Sequence, residues 1–129
     1  MTYIVDTHAL VWFFEMSKRL GRRAAAVLRD ETDDLVVPTI VLAELRHAAE
    51  RGKVTATLEA VLRSLREDPR ARIYPLDERV IECMPTGLDI HDAIICGTAL
   101  MYQQLLQEDV KVLTRDKAIV GAGVVETVW

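Results

Sequence analysis

Short β-favouring runs alternate with helix-forming stretches from one end of this chain to the other, and that alternation restricts its fold more than any other feature. Tyr3-Ile4-Val5 is followed by the apolar stretch Ala9–Phe14 and the Ala-rich Arg22–Arg29, and Leu35-Val36-Val37 runs into Pro38. Thr39 is placed to cap a helix reaching Arg51, with Gly52 just past its end where a left-handed residue is wanted. Leu58, Val61, Leu62 and Leu65 line one helix face before Pro69, and Arg72–Leu76 is extended again. Asp77 can cap a brief helix that Pro85 and Gly87 end, after which apolar positions recur at helical spacing from Asp89 to Gln107. Lys111–Thr114 and Val124–Thr127 are the last two extended segments. Strands that are apolar at consecutive positions are buried on both faces, and the intervening helices supply the cover. The expected fold is α/β: a single domain over residues 1–129, built as a three-layer α/β/α sandwich on a parallel sheet of about five strands.

Half of the 129 residues are apolar and 28% are charged, enough to bury a substantial core and unlike the balance of a disordered chain. The longest apolar stretches, Ala9–Phe14 and Val36–Ala43, fall far short of the roughly 18 residues a membrane span needs, and the N-terminus lacks the pattern of a secretory signal. A cytoplasmic protein with no membrane association is expected. Cys83 and Cys96 are too few and too far apart for a disulfide framework and are expected to be reduced core residues. His8, His47 and His91 match no zinc-ligand spacing. The formal charge of −4 runs against a polyanionic partner, although clustered carboxylates lower the formal charge and a bound divalent cation reverses the local sign. Basic residues bunch as Lys18, Arg19, Arg22 and Arg23 and as Arg63, Arg66, Arg70 and Arg72, a pattern expected of solvated helix faces.

Ligands of an open parallel sheet bind beyond the carboxyl ends of its strands. Asp6 closes the first extended run and Asp116 follows the fourth, so both carboxylates are expected on one rim despite their distance in sequence. Glu44 has Ile40, Val41, His47 and Ala48 as its helix neighbours and so sits on a mainly apolar stripe, where a carboxylate is costly unless it is paired, hydrogen-bonded or holding a metal. Asp92 has Leu88, Ile95 and Cys96 beside it and only Asp89 as a polar neighbour on that face. Each aspartate also has a plain structural use: Asp6, Asp89 and Asp116 can all cap helices. Together, Asp6, Glu44, Asp92 and Asp116 form a set of hard oxygen ligands suited to Mg²⁺ or Mn²⁺, ions that activate water against phosphorus. Thr7 and Thr114 could orient these groups from behind. No phosphate-binding glycine loop is present.

The sequence resembles the PIN-domain nucleases, specifically the VapC-like toxins of toxin–antitoxin pairs, over nearly its whole length. The carrying segments are Tyr3-Ile-Val-Asp-Thr-His-Ala-Leu-Val-Trp12, Pro38-Thr-Ile-Val-Leu-Ala-Glu-Leu45, Asp89-Ile-His-Asp-Ala-Ile-Ile95 and Val112-Leu-Thr-Arg-Asp116. The resemblance implies that Asp6, Glu44, Asp92 and Asp116 are the metal-binding acidic quartet, with Thr7, Asp89 and Thr114 in support. It also implies Mg²⁺ or Mn²⁺ as cofactor, RNA as substrate, a homodimer, and a cognate antitoxin whose tail lies over the site. Many relatives carry D-P-F-D-R where this chain has Asp89-Ile-His-Asp-Ala93, so the arginine of that block is absent here.

Two other readings use the same fold. A phosphatase of the haloacid-dehalogenase type, or a phospho-accepting receiver, also places an Asp after its first strand; the former wants a second Asp two residues on, where this chain has His8. A non-catalytic module could bind RNA or metal without turnover. The apolar run Leu10–Phe14 is expected to be buried within the domain, with part of it available to a second chain.

Overall fold

The computed structural model describes residues 1–129. The chain runs β1 (Thr2–Val5), α1 (Thr7–Phe14), α2 (Arg22–Arg29), β2 (Asp34–Pro38), α3 (Thr39–Glu50), α4 (Leu58–Glu67), β3 (Ala71–Tyr74), α5 (Glu78–Cys83), α6 (Ile90–Leu106), β4 (Val110–Leu113), α7 (Lys117–Ala122) and β5 (Glu126–Val128). The five strands form one sheet in the order β3-β2-β1-β4-β5, and every pairing is parallel. This is the expected α/β sandwich.

The strand order places the site. The chain steps outward from β1 to β2 to β3, then crosses back over β1 to lay β4 on its other side. Right-handed crossovers put the helices of the outward run on one face and those of the return on the other. Packing agrees: α3 lies against β2 and α4 against β3, whereas α6 lies against β1 and β4. The reversal leaves a crevice between the carboxyl ends of β1 and β4, where loops leave the sheet in opposite directions.

The core is continuous through both layers. Ile4, Val5, Val36, Val37, Val112 and Leu113 are all at most 1% exposed, so the central strands are covered on both faces, as their unbroken apolar sequence requires. In α6, Gly97 lets α5 approach closely: a Cβ there would sit 2.8 Å from the Val80 carbonyl oxygen and 3.2 Å from Met84 Cα. Both contacts are to backbone, so Gly97→Ala is expected to destabilise the fold by about 1–2 kcal/mol, overpacking outweighing the better helix propensity of alanine. A urea midpoint at or above that of the wild type would show that α5 yields freely.

Several boundaries differ from the sequence expectation. Thr39 does not cap α3. Pro38 is the capping residue and supplies no side-chain hydrogen bond, because the strand passes directly into the helix; Thr39 Oγ1 instead accepts from Leu76 N–H at 3.2 Å. β3 spans Ala71–Tyr74 rather than reaching Leu76, since Pro75 has no N–H to continue the ladder. β5 is set by its pairing with β4, Lys111 opposite Glu126, and begins later than Val124. Arg70 is no solvated surface residue: its guanidinium bonds the Leu28 carbonyl at 3.1 Å and the Asp68 carboxylate at 3.1 Å. Cys96 is fully buried, but Cys83 only half so. Gly52 does take the left-handed conformation (φ +69°) that stops α3.

Candidate functional site

The crevice between β1 and β4 is closed at its base by one hydrogen-bond chain. Asp6, the residue after β1, is 7% exposed. Its Oδ1 accepts from Thr7 N–H at 2.6 Å, and its Oδ2 accepts from the Thr114 hydroxyl at 2.5 Å. Thr114 Oγ1 in turn accepts from Asp116 N–H at 3.0 Å. A single buried hydroxyl, 1% exposed, therefore fixes the Asp6 carboxylate relative to the loop that carries Asp116. The capping roles open to these aspartates are also filled. Asp116 Oδ1 accepts from Ala118 and Ile119 N–H, starting α7, and Asp89 Oδ1 accepts from Asp92 N–H, starting α6. A carboxylate holds more lone pairs than a cap uses, so capping and ligation are compatible.

Glu44 enters from α3. Its Oε1 is buried without a hydrogen-bond partner, and the Thr7 hydroxyl beside it is likewise unpartnered. An open groove lined by Ile40, Ala43, His47 and His91 reaches this carboxylate from the surface. Asp92 enters from the first turn of α6.

Electrostatics shows how closely these groups are gathered. Burial first, and then the charges of Asp116, Asp89, Asp6 and Glu44, push the Asp92 carboxyl from 3.8 up to about 6. Every one of those influences acts in the same direction. Burial also raises Glu44, opposed by the imidazole of His91 and reinforced by Asp6. Asp6 is raised by its burial, although the Thr114 hydroxyl, the Thr7 N–H and His8 favour its charged form. Beneath them the Cys96 thiol is pushed up to about 11 by burial and by Asp92, Asp6 and Asp116. The carboxylates singled out in the sequence thus lie within one another's field, with Thr7, Asp89 and Thr114 bonded to them or beside them.

Such a gathering of like charges, including a buried oxygen with no donor, is the environment a hard cation relieves. No three His, Cys, Asp or Glu side chains close on one point as a ready-made metal cage. In general an oxygen-ligated cation such as Mg²⁺ keeps several waters and needs only one or two carboxylates together with substrate phosphate.

The model of the PIN domain family matches residues 3–123. The chain belongs to the PIN domain family. Solved structures similar to this PIN domain include VapBC2 from Rickettsia felis bound to a DNA fragment from its promoter, at TM-score 0.69 and 14% identity over 99% of this chain and 98% of that one. FitAcB from Neisseria gonorrhoeae aligns at TM-score 0.66 and 20% identity over 97% and 95% of the two chains. VapBC-1 from nontypeable Haemophilus influenzae aligns at TM-score 0.63 and 18% identity over 99% and 97%. At such identities the likeness is one of fold. No curated protein matches the sequence. No helix of this PIN domain is long and apolar enough to cross a membrane.

Sequence reasoning assigned no role to His8 and His91, yet both act on Glu44 as counter-charges, and His8 acts also on Asp6. It also passed over Arg115, between Thr114 and Asp116. A cation flanked by two candidate site residues was the available signal.

Proposed function

We propose that this PIN domain is a metal-dependent endoribonuclease, the toxin component of a toxin–antitoxin pair, hydrolysing RNA phosphodiester bonds at Asp6, Glu44, Asp92 and Asp116. The observation that carries the reading is the mutual proximity, around the β1–β4 switch point, of four carboxylates close enough to feel one another's charge, one of them with a buried oxygen lacking a hydrogen-bond partner. Asp6, Asp92 and Asp116 would hold Mg²⁺ or Mn²⁺, and Glu44 would bind the ion or its water. The ion supplies a water of lowered pKa and neutralises charge on the phosphate.

The chain's own residues do the rest. Thr114 fixes Asp6 against Asp116, so the two oxygen ligands keep one geometry when an ion arrives. Glu44, its carboxyl raised by burial, would accept a proton from the attacking water. His8 and His91 offset part of the negative field that would otherwise repel an approaching phosphate.

The partners follow from the same reading. Similar structures are VapBC and FitAcB assemblies, which supports a cognate antitoxin; exposed Ile81, Ile90 and Leu105 offer apolar surface for it or for the second copy of a homodimer. Purified protein is expected to cut single-stranded RNA with Mg²⁺ or Mn²⁺ and to stop when a chelator is added, and Glu44→Gln is expected to abolish the activity. Cutting that persists undiminished with chelator and in Glu44→Gln ends the proposal.

A further inference from the structure

An arginine sits between two residues of the acidic site, Thr114 and Asp116, without bonding to any of the acids. Arg115 is exposed, yet none of the four salt bridges of the chain includes it. Its guanidinium lies instead over the Trp12 ring, 4.5 Å from the centroid, and 5.8 Å from that of Trp129. The ring that holds it is itself fixed. Trp12 is 7% exposed, stacked on His8 at 5.0 Å and met edge-on by Trp129 at 5.7 Å. Trp129 has its seat because position 21 is glycine, where a Cβ would lie 2.3 Å from the Trp129 carbonyl carbon.

This clamp has a chemical consequence. A guanidinium stacked on an indole uses its face, which leaves its in-plane N–H donors pointing sideways, in the fork that matches two phosphate oxygens. The cations continue away from the crevice: Arg19 also lies over Trp12, at 5.7 Å, and Lys18 and Arg22 line the adjoining groove. A chain of net charge −4 thus gathers several of its cations around Trp12.

We infer that Arg115 is a substrate-binding residue that grips an RNA backbone phosphate next to the cleaved bond, with Trp12 and Trp129 as its positioning residues. The inference rests on the ribonuclease reading, naming the group that holds the substrate at that same site. A backbone phosphate is contacted whatever the base, so this grip adds affinity without sequence preference.

The test measures binding of a mixed-sequence single-stranded oligoribonucleotide in Mg²⁺ across a salt series, using Glu44→Gln protein so that the RNA stays intact. Adding Arg115→Ala is expected to weaken binding about tenfold or more and to make the slope of log affinity against log salt shallower by about 0.7, the loss of one phosphate contact. Arg115→Lys, which keeps the charge and loses the planar fork, is expected to restore the slope and only part of the affinity. Unchanged affinity and slope in Arg115→Ala, or weaker binding at an unchanged slope, overturns the inference while leaving the nuclease reading intact. Wild-type protein that neither binds nor cuts RNA overturns both.

Discussion

Asp6→Asn is expected to lower the rate of RNA cleavage by about 10³-fold at saturating metal, with the protein still folded. The side chain is almost fully buried and its two oxygens hold different partners, one the Thr7 N–H and the other the Thr114 hydroxyl. Asparagine fills the same volume and can keep the first bond. Its amide offers N–H where Thr114 now donates, so that hydroxyl must turn, and the link through Thr114 to Asp116 loosens with it. The unit of negative charge most deeply placed in the crevice is lost as well. Losing one ligand of a catalytic ion removes several kcal/mol of transition-state stabilisation, which sets the expected size of the effect. Circular dichroism would check folding, and cleavage rates over a metal titration would separate weaker metal binding from slower chemistry. A rate within about threefold of the wild type would remove Asp6 from the chemistry.

The second large effect is one of stability, and it has the opposite sign. Asp92→Asn is expected to make the metal-free protein more stable at pH 8. The Asp92 carboxyl titrates at about 6 in the folded chain against 3.8 when unperturbed, because burial and four neighbouring carboxylates all oppose its charge. Between those values the folded state keeps a proton that the unfolded state has released, so the stability this group contributes falls as pH rises through the window and is gone above it. The shift corresponds to about 3 kcal/mol, reduced to about 2 kcal/mol by the solvent screening of a partly exposed group. Asparagine escapes this cost, so its advantage is expected to be nil below pH 4 and about 8 °C in Tm at pH 8. Saturating Mg²⁺ should narrow the gap by stabilising the wild type more than the variant. Thermal scans in chelator over this pH range would check it. A Tm for Asp92→Asn that tracks the wild type at every pH would mean that the acids do not share one field.

The Asp92 and Asp6 predictions express one physical fact. A cluster that repels itself when empty attracts a divalent cation strongly, so the features that weaken the fold are the same ones that would bind the ion. Glu44 shows it most plainly, since nothing in the folded chain donates to its buried oxygen.

What the sequence determined by itself was local. A window of a few residues is enough to show that Tyr3-Ile4-Val5 and Val36-Val37 are buried strands, that Asp77, Asp89 and Asp116 start helices, and that Glu44 sits on a mainly apolar stripe, because burial pattern and capping depend on neighbours in the chain. It showed too that Asp6 and Asp116 end on one rim, since parallel strands point the same way. Only the tertiary structure decided that β1 and β4 lie side by side, because strand order depends on where the chain reverses its direction of winding, and no local pattern records that. From that adjacency follow the Thr114 bridge between Asp6 and Asp116, the field that lifts Asp92, and the pair of tryptophans from opposite ends of the sequence whose rings meet the Arg115 guanidinium.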